Sequence, residues 1–217
     1  MIPLYHDFEG ERVLVFGGGR VGARKARRFA AEADVVVVSP AFADVDFGGA
    51  ECVRAEPTPA DVDEWFERVD PALAVAATDD GALNARVESV ARERDVLVNR
   101  TDTHGERDPG SVVVPATVRD DPVVVSIATG GASPALSRYL RERVEEELDG
   151  AGAMAELTGA LRDDLQARGV DPERRRDVVR AVVRSPDVWT TLRMGTTKPS
   201  QLTGDVLGDV APDLVDS

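Results

Sequence analysis

One stretch near the start constrains this chain more than any other. Val13-Leu14-Val15-Phe16 is a short apolar run, and Gly17-Gly18-Gly19-Arg20-Val21-Gly22 follows it without a break. Gly17, Gly19 and Gly22 satisfy G-x-G-x-x-G, and a helical pattern begins near Val21. Each glycine has its own physical task. The first permits a tight turn, the second lets backbone approach a pyrophosphate, and the third lets the helix pack closely on the strand. The helix N-terminus then faces the anion. The context predicts a dinucleotide site; a glycine-rich turn that never meets a ligand is the plainer alternative.

The next eighty residues repeat the strand–helix alternation. After a helix over 21–33, Val35-Val36-Val37-Val38 reads as a strand buried on both faces, ended by Ser39-Pro40. Cys52-Val53-Arg54 is a weaker strand. A helix is expected over 58–69, with Thr58 as cap, Pro59 and Asp61 in its first turn. Residues 73–77 form another apolar strand, 83–94 a helix and 96–98 a fifth strand. Such alternation predicts an α/β fold with a Rossmann-type, doubly wound parallel sheet.

Beyond residue 110 the pattern changes. Residues 111–116 and 122–128 read as two strands with no room for a helix between them, so they should pair as a hairpin or meander around 119–122. Ser133-Pro134 is a natural helix start, and the helix should run over 134–148. Residues 151–195 look helical with breaks near Gly169 and Ser185-Pro186. From Thr203 the chain has few apolar anchors and should fray.

Charge narrows the partners. Asp and Glu total 40 against 26 Lys and Arg, a formal charge of −14, and Lys25 and Lys198 are the two lysines. That surface should repel nucleic acid and anionic membranes. It is also the kind of surface that a high-salt cytoplasm favours, which suggests a halophilic source. Cys52 is the lone cysteine, no apolar run reaches membrane-spanning length, and the start lacks a secretory pattern. A cytoplasmic protein is expected.

In open parallel sheets, ligands bind beyond the carboxyl ends of the strands. Four polar segments should emerge there: 17–22, 39–42, 78–80 and 99–102. An acidic residue that grips the adenosine ribose is usual after the second strand. Here Ser39-Pro40-Ala41 stands in its place, so the choice between NAD and NADP stays open. Arg20 or Arg24 could meet a 2′-phosphate, and Ser39 could bond a hydroxyl. Asp102 is the carboxylate placed to move a proton, with a turn aspartate as the plainer reading. His104, and less so His6, are candidate metal ligands, but no paired spacing accompanies them and a surface or hydrogen-bonded histidine is the plainer reading. Thr129-Gly130-Gly131-Ala132-Ser133-Pro134 is a second glycine turn feeding a helix, suited to a carboxylate or phosphate.

Taken in order, these segments resemble one family. The carriers are the glycine turn through Lys25-Ala26, Ala76-Ala77-Thr78-Asp79-Asp80 with Asn84, Asn99-Arg100-Thr101-Asp102, Pro115-Ala116, and Ile127 through Pro134. Together they are similar to the precorrin-2 dehydrogenase and sirohydrochlorin ferrochelatase family, closely over 1–150 and loosely beyond. The resemblance implies NAD-dependent oxidation of precorrin-2 to sirohydrochlorin, with ferrous iron (Fe2+) inserted afterwards by some members to give siroheme. It implies a homodimer with a Rossmann domain over 1–110, a dimerisation region over 111–150 and a helical domain over 151–203, leaving 204–217 as a tail. It places the essential aspartate at Asp102. Cofactor contacts fall at Gly17, Gly18, Gly19, Arg20, Val21, Gly22, Ser39, Ala41, Phe42, Thr78 and Asp79. Substrate contacts fall at Asn99, Thr129, Gly130, Gly131 and Ser133, and Thr129 stands where some members are phosphorylated. Arg100, Arg107, Arg119 and Arg138 are candidate donors to substrate carboxylates, with solvated surface arginines as the plainer reading.

Two departures touch the iron chemistry. Thr103 replaces a second acidic residue that usually follows the aspartate, and an insert over 104–110 comes next. The metal ligands are therefore not identified, and no methyltransferase domain is expected in this length. Two other readings remain open: a nucleotide-sensing regulator without catalysis, and a chelatase that no longer oxidises.

Overall fold

The computed structural model describes residues 3–102 and 111–195, together with Val206, Gly208 and Ala211. They divide into two compact units, Met1–Val114 and Pro115–Ser217.

The first unit is a doubly wound α/β layer. Its elements are β1 (Arg12–Phe16), α1 (Arg20–Phe29), β2 (Asp34–Ser39), β3 (Glu51–Arg54), α2 (Val62–Val69), β4 (Leu73–Ala76), α3 (Gly81–Glu93) and β5 (Leu97–Arg100). All five strands are parallel, in the order β3-β2-β1-β4-β5. The order reverses at β1, so the switch point opens at the carboxyl ends of β1 and β4. Side chains that alternate along each strand serve two cores. Leu14, Phe16, Val38, Ala74 and Ala76 pack on the α2–α3 side with Phe66, Val87 and Val90. Val13, Val15, Val35, Val37 and Val75 pack on the α1 side with Ala26. The four consecutive valines of β2 thus divide between the two layers, although Val36 is only half-buried.

Element ends move for identifiable reasons. The helix expected over 58–69 begins as a 3₁₀ turn, Pro59–Asp61. Its start is fastened by Asp61, whose carboxylate accepts from the Thr58 N–H and hydroxyl at 2.8 and 2.7 Å. Helix α3 starts two residues before its expected position, since Asp80 caps it by accepting from Ala82 and Leu83 N–H. The strand expected over 111–116 is not there. Ser111 makes a single bridge to Val98, and Val112 donates its N–H to Val98 O at 2.8 Å. That segment extends the edge of the parallel sheet instead of entering a hairpin.

In the second unit the hairpin starts later. Strands β6 (Ala116–Asp120) and β7 (Val123–Ile127) pair antiparallel around Asp121-Pro122. Four helices follow: α4 (Pro134–Leu148), α5 (Ala151–Ala167), α6 (Pro172–Val183) and α7 (Pro186–Met194). Three of them share one start signal, a capping Ser or Asp followed by Pro in the first turn. Ser133 accepts from Leu136, Asp171 from Glu173 and Arg174, and Ser185 from Val188. Met154, Leu157, Leu161 and Leu165 make an apolar stripe on α5, which packs with Val178 and Val182 of α6 and Leu192 of α7. Val206 and Ala211 are buried in the same cluster, so the expectation of a frayed tail fails at those two positions. Asp120 fastens the hairpin to the start of α5 by accepting the Gly152 N–H at 2.9 Å.

Candidate active site

The site is built at the carboxyl end of β1. Gly17 turns the chain at φ +116° and donates its N–H to Val38 O at 3.0 Å, while Phe16 O accepts from Ala77 N–H at 2.9 Å. A side chain on Gly17 would strike the Ala77 carbonyl, and one on Gly18 would strike the Ala41 carbonyl. On Gly22 it would meet Gly17 O, so α1 lies directly against the turn. Gly19 differs from these three. Nothing lies within 4 Å of the place where its Cβ would be. It is also the N-cap of α1 and provides no side-chain cap, and the first turn of α1 holds no acidic residue. The first-turn N–H groups have no side-chain cap and carry the positive end of the helix dipole. This cradle fits the pyrophosphate of a dinucleotide in shape and in charge. Arg20 and Val21 are exposed beside it, as is Arg24 one turn on.

The loop after β2 closes over the turn. Ala43 donates its N–H to Gly18 O at 2.8 Å, and Phe42 packs edge-on against Phe47. Ser39 is buried, Ala41 is exposed, and Arg54 braces the loop through Pro40 O at 3.2 Å. After β4, the Thr78–Asp80 turn is locked by Asn84, which is fully buried on α3. The Asn84 amide accepts from Thr78 N–H and hydroxyl at 3.2 and 2.7 Å, and donates to Thr78 O at 2.9 Å. The Thr78 hydroxyl is therefore committed to its own loop, and Asp79 is exposed beside it.

Near the end of β5, Asn99 is buried and donates to Val112 O at 2.8 Å, which accounts for the path of the following segment. Its Oδ1 has no hydrogen-bond partner among the described residues. Asp102 is held by both prongs of Arg100, from Nε at 2.8 Å and from Nη2 at 3.0 Å. Arg100 also reaches Glu88 on α3 at 2.9 Å, and Glu88 accepts from Arg92 at 2.6 Å. The Arg100 guanidinium, with a smaller contribution from the Asn84 amide, lowers the Asp102 pKa below the usual carboxylate value against the opposing effect of burial. The same pairing raises that of Arg100. Arg100, a candidate donor to substrate carboxylates, bonds Asp102 and Glu88 within the protein. The spacing of residues 88, 92, 100 and 102 carried no signal of this network, because β5 and α3 meet only in the fold.

Other expected residues fall in separate places. Thr129, Gly130, Gly131 and Ser133 lie in the second unit. There the two glycines take positive φ, and the Thr129 hydroxyl donates to Ser133 O at 3.2 Å and lies 3.0 Å from the Ser137 hydroxyl. Arg138 is exposed, and Arg119 pairs loosely with Asp121 at 3.8 Å. Thr103, His104 and Arg107 lie outside the described residues, and the His6 ring packs tilted against Phe8. Among the described residues, no group of three or more His, Cys, Asp or Glu could hold a metal ion. No helix among them is long and apolar enough to cross a membrane.

Sheet order and glycine cradle together define a Rossmann-type dinucleotide-binding protein. A family model described as "Putative NAD(P)-binding" matches residues 4–116. A precorrin-2 dehydrogenase of Methanosarcina barkeri is 32% identical over 195 residues, covering 87% of this chain and 85% of that protein. This chain belongs to the precorrin-2 dehydrogenase family. A siroheme synthase of Stutzerimonas stutzeri is 34% identical over 97% of this chain, which spans only 45% of that longer protein. The solved structure of SirC, a precorrin-2 dehydrogenase, shares the fold with a TM-score of 0.68 at 22% identity, covering 95% of this chain and 98% of that one.

Proposed function

We propose that this chain oxidises precorrin-2 to sirohydrochlorin with NAD as acceptor, in siroheme biosynthesis. The observation that carries the reading is the pairing of an uncapped glycine cradle after β1 with Asn99 to Asp102 at the end of β5, both at the carboxyl end of the parallel sheet. Gly17, Gly18, Gly19 and Gly22 would hold the pyrophosphate, with the Arg20 and Val21 backbone beside it. The loop at Ser39, Ala41 and Phe42 would take the adenosine end, and Thr78 and Asp79 would border the nicotinamide. When bound, NAD supplies a hydride acceptor.

The protein's own work is to place the macrocycle and receive a proton. Oxidation removes a hydride from one carbon and a proton from a neighbour. Asp102 is the proposed base. It is held ionised by Arg100, so it is ready to accept at neutral pH, but its lowered pKa makes it weak until the guanidinium yields. Asn99 offers its unpaired Oδ1 to a substrate or cofactor N–H. In the second unit, Thr129, Gly130, Gly131 and Ser133 are proposed to contact substrate carboxylates.

The chain is proposed to work as a cytoplasmic homodimer. Helix α4 supports this: it has no buried residue, and Leu136, Tyr139 and Leu140 are 46%, 59% and 36% exposed. The long match to siroheme synthases supports ferrous iron insertion as a second step on the product. Asp102→Asn tests the central assignment. General bases contribute about 10²–10⁴-fold, so turnover should drop by at least the lower figure with NAD affinity retained. Turnover near the parent rate would remove Asp102 from the proton step.

A further inference from the structure

The second unit contains a groove that the dinucleotide reading does not use. It lies between α5 and α6, encloses about 430 Å³, and is lined by Arg162, Pro172, Arg175, Arg176, Val179 and Arg180. Four guanidinium groups thus converge on one site of a chain whose formal charge is −14. Two of them, Arg162 and Arg176, make no hydrogen bond or ion pair with any described residue. Arg175 is oriented by a neutral partner, donating from Nη1 to the Gln166 side chain at 3.0 Å. Its Nε is buried without a partner among the described residues. Only Arg180 has a carboxylate, Asp177 at 2.9 Å. Buried or oriented donors without acceptors are unusual, and arginines that do not pair in so acidic a chain are more so.

We propose that this groove is an anion site that takes one carboxylate-bearing edge of a polycarboxylate macrocycle. The chemical class rests on the proposed function; the site itself does not. Planar guanidinium forks match carboxylates in pairs, and Pro172 and Val179 give the groove an apolar floor for a ring edge. A compact ligand keeps all its charges within the arginine patch. A long polyanion, nucleic acid or acidic peptide, would extend past the patch along a chain of formal charge −14 and be repelled.

Uroporphyrin III, an octacarboxylate macrocycle, is the probe, titrated by fluorescence into the full chain at low salt. Hydrogen exchange of peptides covering α5 and α6 locates the binding. Arg162→Gln with Arg176→Gln removes two exposed, unpaired groups and should leave the fold unchanged, as circular dichroism would verify. Expected are protection of α5 and α6 in the parent chain, loss of that protection in the double variant, and affinity about tenfold lower, the order for two partly exposed ion pairs. Gly19→Asp should leave the protection in place. Absence of protection in the parent chain, or its persistence in the double variant, would overturn the site. Displacement by inorganic phosphate or a poly-glutamate peptide at equal concentration would overturn the macrocycle assignment. If groove binding appears but NAD-dependent oxidation does not, the proposed function fails and the anion site stands.

Discussion

At the scale of single residues, the four glycines of the turn look alike in sequence and differ in the fold. Gly22 is packed against Gly17 O, so Gly22→Ala must push α1 off the strand. Overpacking of this kind costs about 1–3 kcal/mol, and a urea titration should read a loss in that range. Gly19 has open space where its Cβ would be. Gly19→Asp should therefore melt near the parent temperature yet lose NAD in calorimetry, because it fills the anion cradle with a like charge. Retained NAD affinity in that folded variant would displace the site. Asp102 gives a pH prediction with a definite sign. Its pKa is depressed in the folded chain, so the stability from its pairing is present above the ordinary carboxylate value of about 4 and is lost as pH falls through the depressed value. Arg100→Gln removes the main cause of that depression. The acid limb of the kcat/KM profile should then move to higher pH. A limb that stays in place would mean that Asp102 does not titrate in the rate-limiting step.

At the scale of elements, Asn84 links α3 to the turn after β4 with three hydrogen bonds from a fully buried position. Asn84→Ala leaves the Thr78 N–H and carbonyl without partners. The expected loss is about 2–3 kcal/mol in urea titration, within the range for stranding buried polar groups, with weaker NAD binding because the 78–80 turn loosens. A loss under 0.5 kcal/mol, about the scale of a surface substitution, would mean that water takes over those bonds. What was legible in sequence follows the same division between local and distant causes. The start of helix α4 was readable because Ser133 and Pro134 act locally. The parallel sheet was readable because apolar runs alternate with helical ones. The 111–116 strand was misplaced because Val112, Val113 and Val114 look β-forming, whereas the fold draws Ser111 and Val112 to the edge of β5 through Val98 and Asn99. Asn84 was visible as part of a motif, but its role depends on Thr78 lying opposite it in space. The Arg100–Asp102–Glu88 network and the α5–α6 arginine groove likewise join residues that meet only after folding.

At the scale of the whole molecule, two properties govern behaviour in solution. The formal charge of −14 repels itself, and salt screens that repulsion. The melting temperature should rise from low to molar potassium chloride; a fall would mean that the surface ion pairs, such as Arg86 with Asp63 and Glu93, outweigh the net repulsion. The exposed apolar residues of α4 call for a partner surface, and light scattering should give twice the 23.2 kDa chain mass. A mass of one chain would leave α4 without the proposed partner. The most direct measurement mixes the purified chain with precorrin-2 and NAD without oxygen, and follows NADH and sirohydrochlorin together by absorbance. One NADH is expected for each sirohydrochlorin, at a rate proportional to enzyme and abolished by Gly19→Asp. NAD bound in calorimetry with no NADH formed would contradict it, and would leave a nucleotide-binding protein that does not oxidise this substrate.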